Sequence, residues 1–151
     1  MLKEFVMKKH CKFAERATDW KEAVRMSCET LEADGTVDLI YKEELVRCVE
    51  EYGPYIVIMP MVAMPHSQEG AIGVHKTEIG FMKLKEAVSF EPGNAEKDAK
   101  LFFTLASCNS SEHLNNISRL SELLMNEKLV EKLLEAENES DLLRLQEEYL
   151  D

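Results

Sequence analysis

The sequence predicts a single α/β (α+β) domain spanning residues 1–151, with a mixed central sheet flanked by helices. Three observations predict it. Apolar stripes at helical spacing occupy both ends of the chain, from about Asp19 to Tyr52 and from Asn109 to Tyr149. The middle, from Tyr55 to Ala106, carries unbroken or alternating apolar runs typical of strands. No Pro-, Gly- or Ser-rich linker divides the chain, and 151 residues is an ordinary length for one domain. Folding at this size removes roughly 70% of the unfolded surface, enough for a real core.

The elements follow in order. Asp19 with Glu22 three residues on has the spacing of a capping box, in which each end satisfies an orphan amide of the other. Trp20, Ala23, Val24, Cys28 and Leu31 then share one helical face, and Gly35 is a natural stop. A second helix carries Tyr41, Leu45, Cys48, Val49 and Tyr52 and ends at Gly53-Pro54. Tyr55 to Met59 is an unbroken apolar run, expected to be a strand buried on both faces. Pro60 interrupts it, and Val62-Ala63-Met64 predicts a second short strand before Pro65-His66. Residues 67–75, with Gly70 and Gly73, read as a loop. Thr77 to Lys85 alternates with Ile79 and Phe81 on one face, and Val88-Ser89-Phe90 extends or follows it. Glu91-Pro92-Gly93-Asn94 is a turn, and Leu101 to Ala106 a buried strand. Asn109 with Glu112 opens a helix bearing Leu114, Ile117, Leu120 and Leu124. A short helix over Leu129 to Leu134 follows, and Asn138 with Asp141 opens a last one.

Hydrophobic residues make up 45% and charged residues 31%, which is ordinary for a soluble globular protein. No apolar run approaches the ~20 residues of a membrane-crossing helix, and no signal-peptide core is present. Net charge is −11, so the average surface repels nucleic-acid phosphates and suits a basic protein partner. The charge is uneven: residues 1–18 carry +3 and residues 127–151 carry −6. Five cations at one end are expected simply to solvate it. Cys11, Cys28, Cys48 and Cys108 form no close pair, so they read as small buried hydrophobes in a reducing cytoplasm.

Chemistry falls to four histidines, since no Gly-rich phosphate loop or nucleophile elbow occurs. His10, among Lys8, Lys9 and Lys12, is expected to be solvated, and His75 to be polar loop surface. His66 differs, because a strand followed by a stiff Pro-His sets the imidazole at a sheet end, where α/β folds place ligands. His113 lies in the first turn of a capped helix, whose N-terminus carries roughly +0.5 charge and free N–H donors. Each alone reads as a turn or surface histidine. Together they pair a neutral imidazole nucleophile with an anion-stabilising end. Zinc on His66, His75, His113 and Cys108 lacks any short ligand spacing, and no metal or cofactor is expected. Met59, Met61 and Met64 suit core or an apolar partner surface better than a soft metal.

The run Gly53-Pro54-Tyr55-Ile56-Val57-Ile58, then Pro60, then Val62-Ala63-Met64-Pro65-His66, resembles the active-site stretch of sugar phosphotransferase-system IIA components. The type is mannitol/fructose, and the ascorbate-type subfamily is the most similar. The resemblance covers most of the chain beyond about residue 15, including Asp19 to Ala23 and Glu112-His113-Leu114. It implies the phosphotransferase IIA mannitol-type fold and a phosphoryl carrier. His66 would accept phosphate from the phosphocarrier protein HPr and pass it to a IIB component, which in the ascorbate type bears a Cys acceptor. The sugar, ascorbate- or pentitol-like, would be phosphorylated as it crosses the IIC permease. His113 would stabilise the phosphate. Met61, Val62, Met64 and Ile72 are the expected apolar ring against the partner proteins, in a small, transient interface. Two departures stand out. Ser67-Gln68 follow Pro-His where many ascorbate-type members have a small residue and Arg. Glu50 and Glu51 occupy the region where mannitol-type members carry a phosphate-contacting Arg. A IIA-like regulatory module is the alternative, and a hydrolase ranks below it for want of a nucleophile–base pair.

Overall fold

The computed structural model describes residues 1–68 and 70–151. Among these residues, five strands form one mixed sheet: β1 (Cys11–Ala14), β2 (Val57–Met59), β3 (Met61–Ala63), β4 (Glu78–Ser89) and β5 (Asp98–Ala106). Their spatial order is β1-β4-β5-β3-β2. The β1–β4 and β3–β5 pairs are parallel, and the β4–β5 and β2–β3 pairs antiparallel. Among the described residues, seven α-helices accompany the sheet: α1 (Leu2–Met7), α2 (Trp20–Ser27), α3 (Glu29–Ala33), α4 (Ile40–Tyr52), α5 (Ser110–Leu124), α6 (Glu127–Glu135) and α7 (Glu139–Leu145). Among the described residues, no helix is long and apolar enough to cross a membrane.

Side-chain alternation along the central strands builds two cores. Met82, Leu84 and Phe102 face α2, α3 and α4, packing with Ala23, Leu31, Tyr41 and Leu45. Their sequence neighbours Phe81, Leu101 and Phe103 face the other way, onto Leu2 and Phe5 of α1 and the leucines of α5, α6 and α7. Phe81 is the hub of that second core, with its ring centroid 5.7 Å from Phe5, 5.8 Å from Phe13 and 5.5 Å from Phe103. Each such buried side chain contributes roughly 1.5–3 kcal/mol. The mixed sheet between helices is the architecture the patterning predicts.

Three local expectations are corrected. The apolar run from Tyr55 is not a doubly buried strand. Only Val57–Met59 is extended, and as the edge strand it pairs with β3 alone, leaving Ile58 46% exposed. The stripe from Trp20 to Leu31 is two helices, because Cys28 N–H bonds back to Arg25 rather than sustaining one continuous helix. The basic N-terminal segment is not a solvated tail. It forms α1 and β1, whose Leu2 and Phe5 are buried.

His10 at the α1–β1 junction is therefore inside, 2% exposed, with Nε2 2.6 Å from Asp34 Oδ2. It turns inward because Phe81 N–H bonds the His10 carbonyl and His10 N–H bonds that of Phe5, which sets the junction against β4. The cysteines divide likewise: Cys28 and Cys48 are buried, Cys11 is intermediate and Cys108 is exposed.

The loop predicted over 67–75 leads from the site strand into β4. Its residue Glu69 lies outside the described residues. Gly73 docks this loop on the start of α4: its carbonyl accepts Asp38 N–H at 2.7 Å. A Cβ at this positive-φ position would meet Ile40 Cγ2 at 2.7 Å, so only glycine fits without a shift.

Burial raises the Asp34 carboxyl pKa, but the Thr36 hydroxyl, His10 and the Thr36 amide outweigh it and bring the group down to about 2, from an ordinary 3.8. A carboxylate depressed in the folded state stabilises the protein fully above its unfolded pKa and loses that contribution as pH falls through the folded one. We predict that urea unfolding followed between pH 5 and pH 2 shows a steady loss of stability that Asp34→Asn makes shallower. Parallel wild-type and variant curves would remove Asp34 from the acid response.

Candidate active site

Beyond β3 the chain stays fixed on both flanks. Met64 N–H bonds the Ile56 carbonyl at 2.7 Å, and the Pro65 carbonyl accepts Leu105 N–H at 2.9 Å. Pro65 itself has no N–H to donate and a restricted φ. His66 is thus delivered from a segment clamped between the end of β5 and the approach to β2. Its ring is clamped too. Nδ1 lies 2.5 Å from the Met64 carbonyl, and the Tyr55 ring stands edge-on at 5.1 Å and 88°. The Tyr55 hydroxyl donates to the His66 carbonyl. A carbonyl only accepts, so Nδ1 carries the proton and the Nε2 lone pair is free.

Across from it begins α5. Asn109 caps the helix by accepting Glu112 N–H at 3.0 Å, and His113 follows in the first turn with its N–H on the Asn109 carbonyl. The first amides of a helix have no partners within it, so this end presents donors and a partial positive charge. His66 and His113 line one open pocket of about 200 Å³ with Tyr41, Ser67, Gly70, Ala71, Leu105 and Ser107. The Tyr41 hydroxyl is committed to the Leu105 carbonyl at 2.5 Å, so it braces the wall. Burial lowers the His66 pKa, with the Met64 hydrogen bond pulling it back up and His113 adding repulsion. The imidazole is accordingly neutral near pH 7. The arrangement couples a neutral, oriented nitrogen nucleophile to a helix N-terminus suited to an oxyanion.

The other predicted residues fall elsewhere. Val62 is fully buried and Met64 is 9% exposed, both within the second core, so neither can ring the pocket against a partner. Both side chains pack into the second core with Phe5 and the leucines of the C-terminal helices, which corrects that expectation for both residues. Met61 is half-buried at a positive φ of 70°, and Ile72 is exposed. His75 is exposed and bonds Asp38 Oδ1 at 3.0 Å, away from the pocket lining.

Arg47 gave no sequence signal that separated it from other helix-surface cations. On α4 it pairs with Glu44 at 2.7 Å and Glu51 at 2.5 Å, and its guanidinium touches Cys48 Sγ, which in turn lies 4.0 Å from Ser67 Oγ. It therefore stands behind the residue next to His66. Sequence position alone drew attention to Glu50 and Glu51, a turn later.

The description that matches this chain, over residues 4–149, is the phosphoenolpyruvate-dependent sugar phosphotransferase system, EIIA 2. A mannitol-specific cryptic phosphotransferase enzyme IIA component from Escherichia coli (strain K12) is 35% identical over 126 residues, covering 83% of this chain and 84% of that protein. An ascorbate-specific EIIA component from Mycoplasma pneumoniae is 29% identical over 140 residues, covering 91% and 86%. The solution structure of the mannitol-specific cryptic IIA enzyme from Escherichia coli superposes with a TM-score of 0.82 at 31% identity, covering 95% of this chain and 96% of that one. The complex of the Escherichia coli mannitol IIA enzyme with phosphorylated IIB matches with a TM-score of 0.76 at 25% identity, covering 91% and 93%. With a family match across nearly its whole length and a pocket built around a strand-end histidine, this chain belongs to the EIIA type 2 family of the phosphoenolpyruvate-dependent sugar phosphotransferase system.

Proposed function

We propose that this IIA component accepts a phosphoryl group from HPr on His66 Nε2 and passes it to a IIB component, in the cytoplasm. The observation that carries the proposal is the Nδ1 hydrogen bond to the Met64 carbonyl. It leaves Nε2 as the one unprotonated ring nitrogen, and the depressed pKa keeps it so near pH 7.

The chemistry needs little else from the protein. The Nε2 lone pair attacks phosphorus in line, the N–P bond forms, and the bond from phosphorus to the donor breaks. The ring gains positive charge, which the Met64 carbonyl dipole offsets through Nδ1–H. His113 and the first amides of α5 take the negative charge on the phosphoryl oxygens. The reverse sequence delivers the group to IIB. No cofactor enters either step. Uptake coupled through IIC then concerns an ascorbate- or pentitol-like sugar, in keeping with relatives named ascorbate-specific and mannitol-specific. The IIA chain itself never touches that sugar.

The test is incubation with enzyme I, HPr and phosphoenolpyruvate, followed by addition of IIB. His66→Ala is expected to abolish labelling while leaving the far-ultraviolet spectrum unchanged, and His75→Ala to label normally. The label on wild type should survive alkali and be lost in acid, as a phosphoramidate is. Label remaining on His66→Ala would move the acceptor elsewhere.

His113→Ala is expected to accept phosphate yet transfer it more slowly. A lost hydrogen bond to a charged group costs ~1.5–3 kcal/mol, which is roughly one to two decades in rate. Rapid-quench transfer to IIB at wild-type rate would reduce His113 to a bystander.

A further inference from the structure

The His66 pocket contains a hydroxyl with only a weak partner, on Ser107. Among the described residues no Lys or Arg lines this pocket, so a phosphoryl group held there depends on neutral donors. Tyr41, Ser67 and Ser107 bring hydroxyls to its lining. The Tyr41 hydroxyl is committed to the Leu105 carbonyl at 2.5 Å. The Ser67 hydroxyl pairs with Cys48 Sγ on α4 at 4.0 Å. Ser107 is left.

The chain sets Ser107 where a donor is needed. Leu105 is fixed beside the acceptor, because its N–H bonds the carbonyl of Pro65, the residue before His66, at 2.9 Å. Side chains two apart on an extended segment point the same way, and Ser107 lines the pocket with Leu105. One residue on, Cys108 N–H is held by Thr77 Oγ1 at 3.0 Å. Asn109 then opens α5, which brings His113 to the same pocket. Ser107 thus enters the pocket between the strand that anchors the approach to His66 and the helix that carries His113.

Its hydroxyl can also turn at little cost. Among the described residues its one hydrogen bond goes to the Asn109 carbonyl at 3.4 Å, a long and therefore weak contact. That carbonyl already accepts His113 N–H at 3.0 Å, so it stays satisfied when the hydroxyl leaves.

We propose that the Ser107 hydroxyl donates to an oxygen of the phosphoryl group on His66, as a second side-chain donor beside His113. The inference rests on His66 being the phosphoryl acceptor. The bond from Nε2 to phosphorus forms, the bond from phosphorus to HPr breaks, and negative charge is spread over the three phosphoryl oxygens. The hydroxyl keeps its proton throughout. It exchanges a long contact to a neutral carbonyl for a short bond to a charged oxygen, which is roughly twice as strong as a neutral one. Ser107 is in that step a catalytic residue, and its contribution comes from the protein's own chain rather than from a cation.

The experiment is rapid-quench transfer from phosphorylated HPr, over a range of HPr concentrations, to wild type, Ser107→Ala and Ser107→Thr. Ser107→Ala is expected to lower the maximal transfer rate about tenfold or more, with the half-saturating HPr concentration unchanged. Ser107→Thr keeps the hydroxyl and should transfer near the wild-type rate. The ³¹P resonance of phosphorylated His66 should move in Ser107→Ala and hold in Ser107→Thr. All three proteins should share one far-ultraviolet spectrum and melting temperature, because Ser107 is half-buried and lies outside the strands and helices. With wild type labelled on His66, three results would overturn the role of Ser107 and leave the carrier reading in place: an unchanged maximal rate in Ser107→Ala, a raised half-saturating concentration alone, or equal losses in both variants. Wild type that fails to label on His66 would overturn the carrier reading and this donor with it.

Discussion

One short hydrogen bond organises the candidate active site, from Nδ1 of His66 to the carbonyl of Met64, two residues earlier. It needs the Met64 carbonyl held at a fixed place relative to the His66 ring, and the segment is held on both sides. Ile56 and Leu105 hold it through main-chain bonds, and Pro65 removes the one amide that would have needed another partner. The edge strand β2 and the central strand β5 thus share one task despite their different burial. β2 anchors Met64 from its approach, and β5 anchors Pro65 from its end. Tyr55, just before β2, then fixes the imidazole from the edge. The rotamer freedom that a surface histidine would lose on meeting a partner has been removed by the fold in advance.

The same geometry governs the electrostatics. A half-buried, neutral imidazole stands near a second histidine at the start of a helix, and no Lys or Arg lines the pocket among the described residues. A chain with net charge −11 thus offers an anion local dipoles rather than a strong net cation. That arrangement suits a carrier, which must hold a phosphoryl group without trapping it. Strong ion pairing would stabilise the phosphorylated state and slow onward transfer. The guanidinium of Arg47 on α4 is paired with Glu44 and Glu51, and Cys48 lies between it and Ser67.

Legibility in the sequence followed the range of the interactions. Caps are local, so Asp19, Asn109 and Asn138 could be read directly, and each accepts the amide three residues on. Strand alternation is local too, which is why Ile79 and Phe81 fall together in one core. His66 stood out because Pro65 constrains it over a single bond. What escaped was set by packing order. Val62 reads like a residue that rings a site, yet its side chain points into the second core and is fully buried there. His10 reads as part of a basic tail, yet α1 folds over the sheet and turns it toward Asp34, 24 residues away. Arg47 is an ordinary cation in sequence, and only the third dimension sets it behind Ser67. The separation of His66 from His113 in sequence, 47 positions, could not itself announce that they line one pocket.

In the proposed carrier, backbone geometry selects the ring nitrogen that takes the phosphoryl group. The most direct measurement is ¹⁵N and ³¹P NMR on the phosphorylated protein with ¹⁵N-labelled imidazoles. Phosphorus is expected to couple to Nε2 of His66, with Nδ1 still protonated and its proton shifted downfield by the Met64 carbonyl. Phosphorus bonded to Nδ1 would require the Met64 hydrogen bond to break before chemistry, and would contradict it.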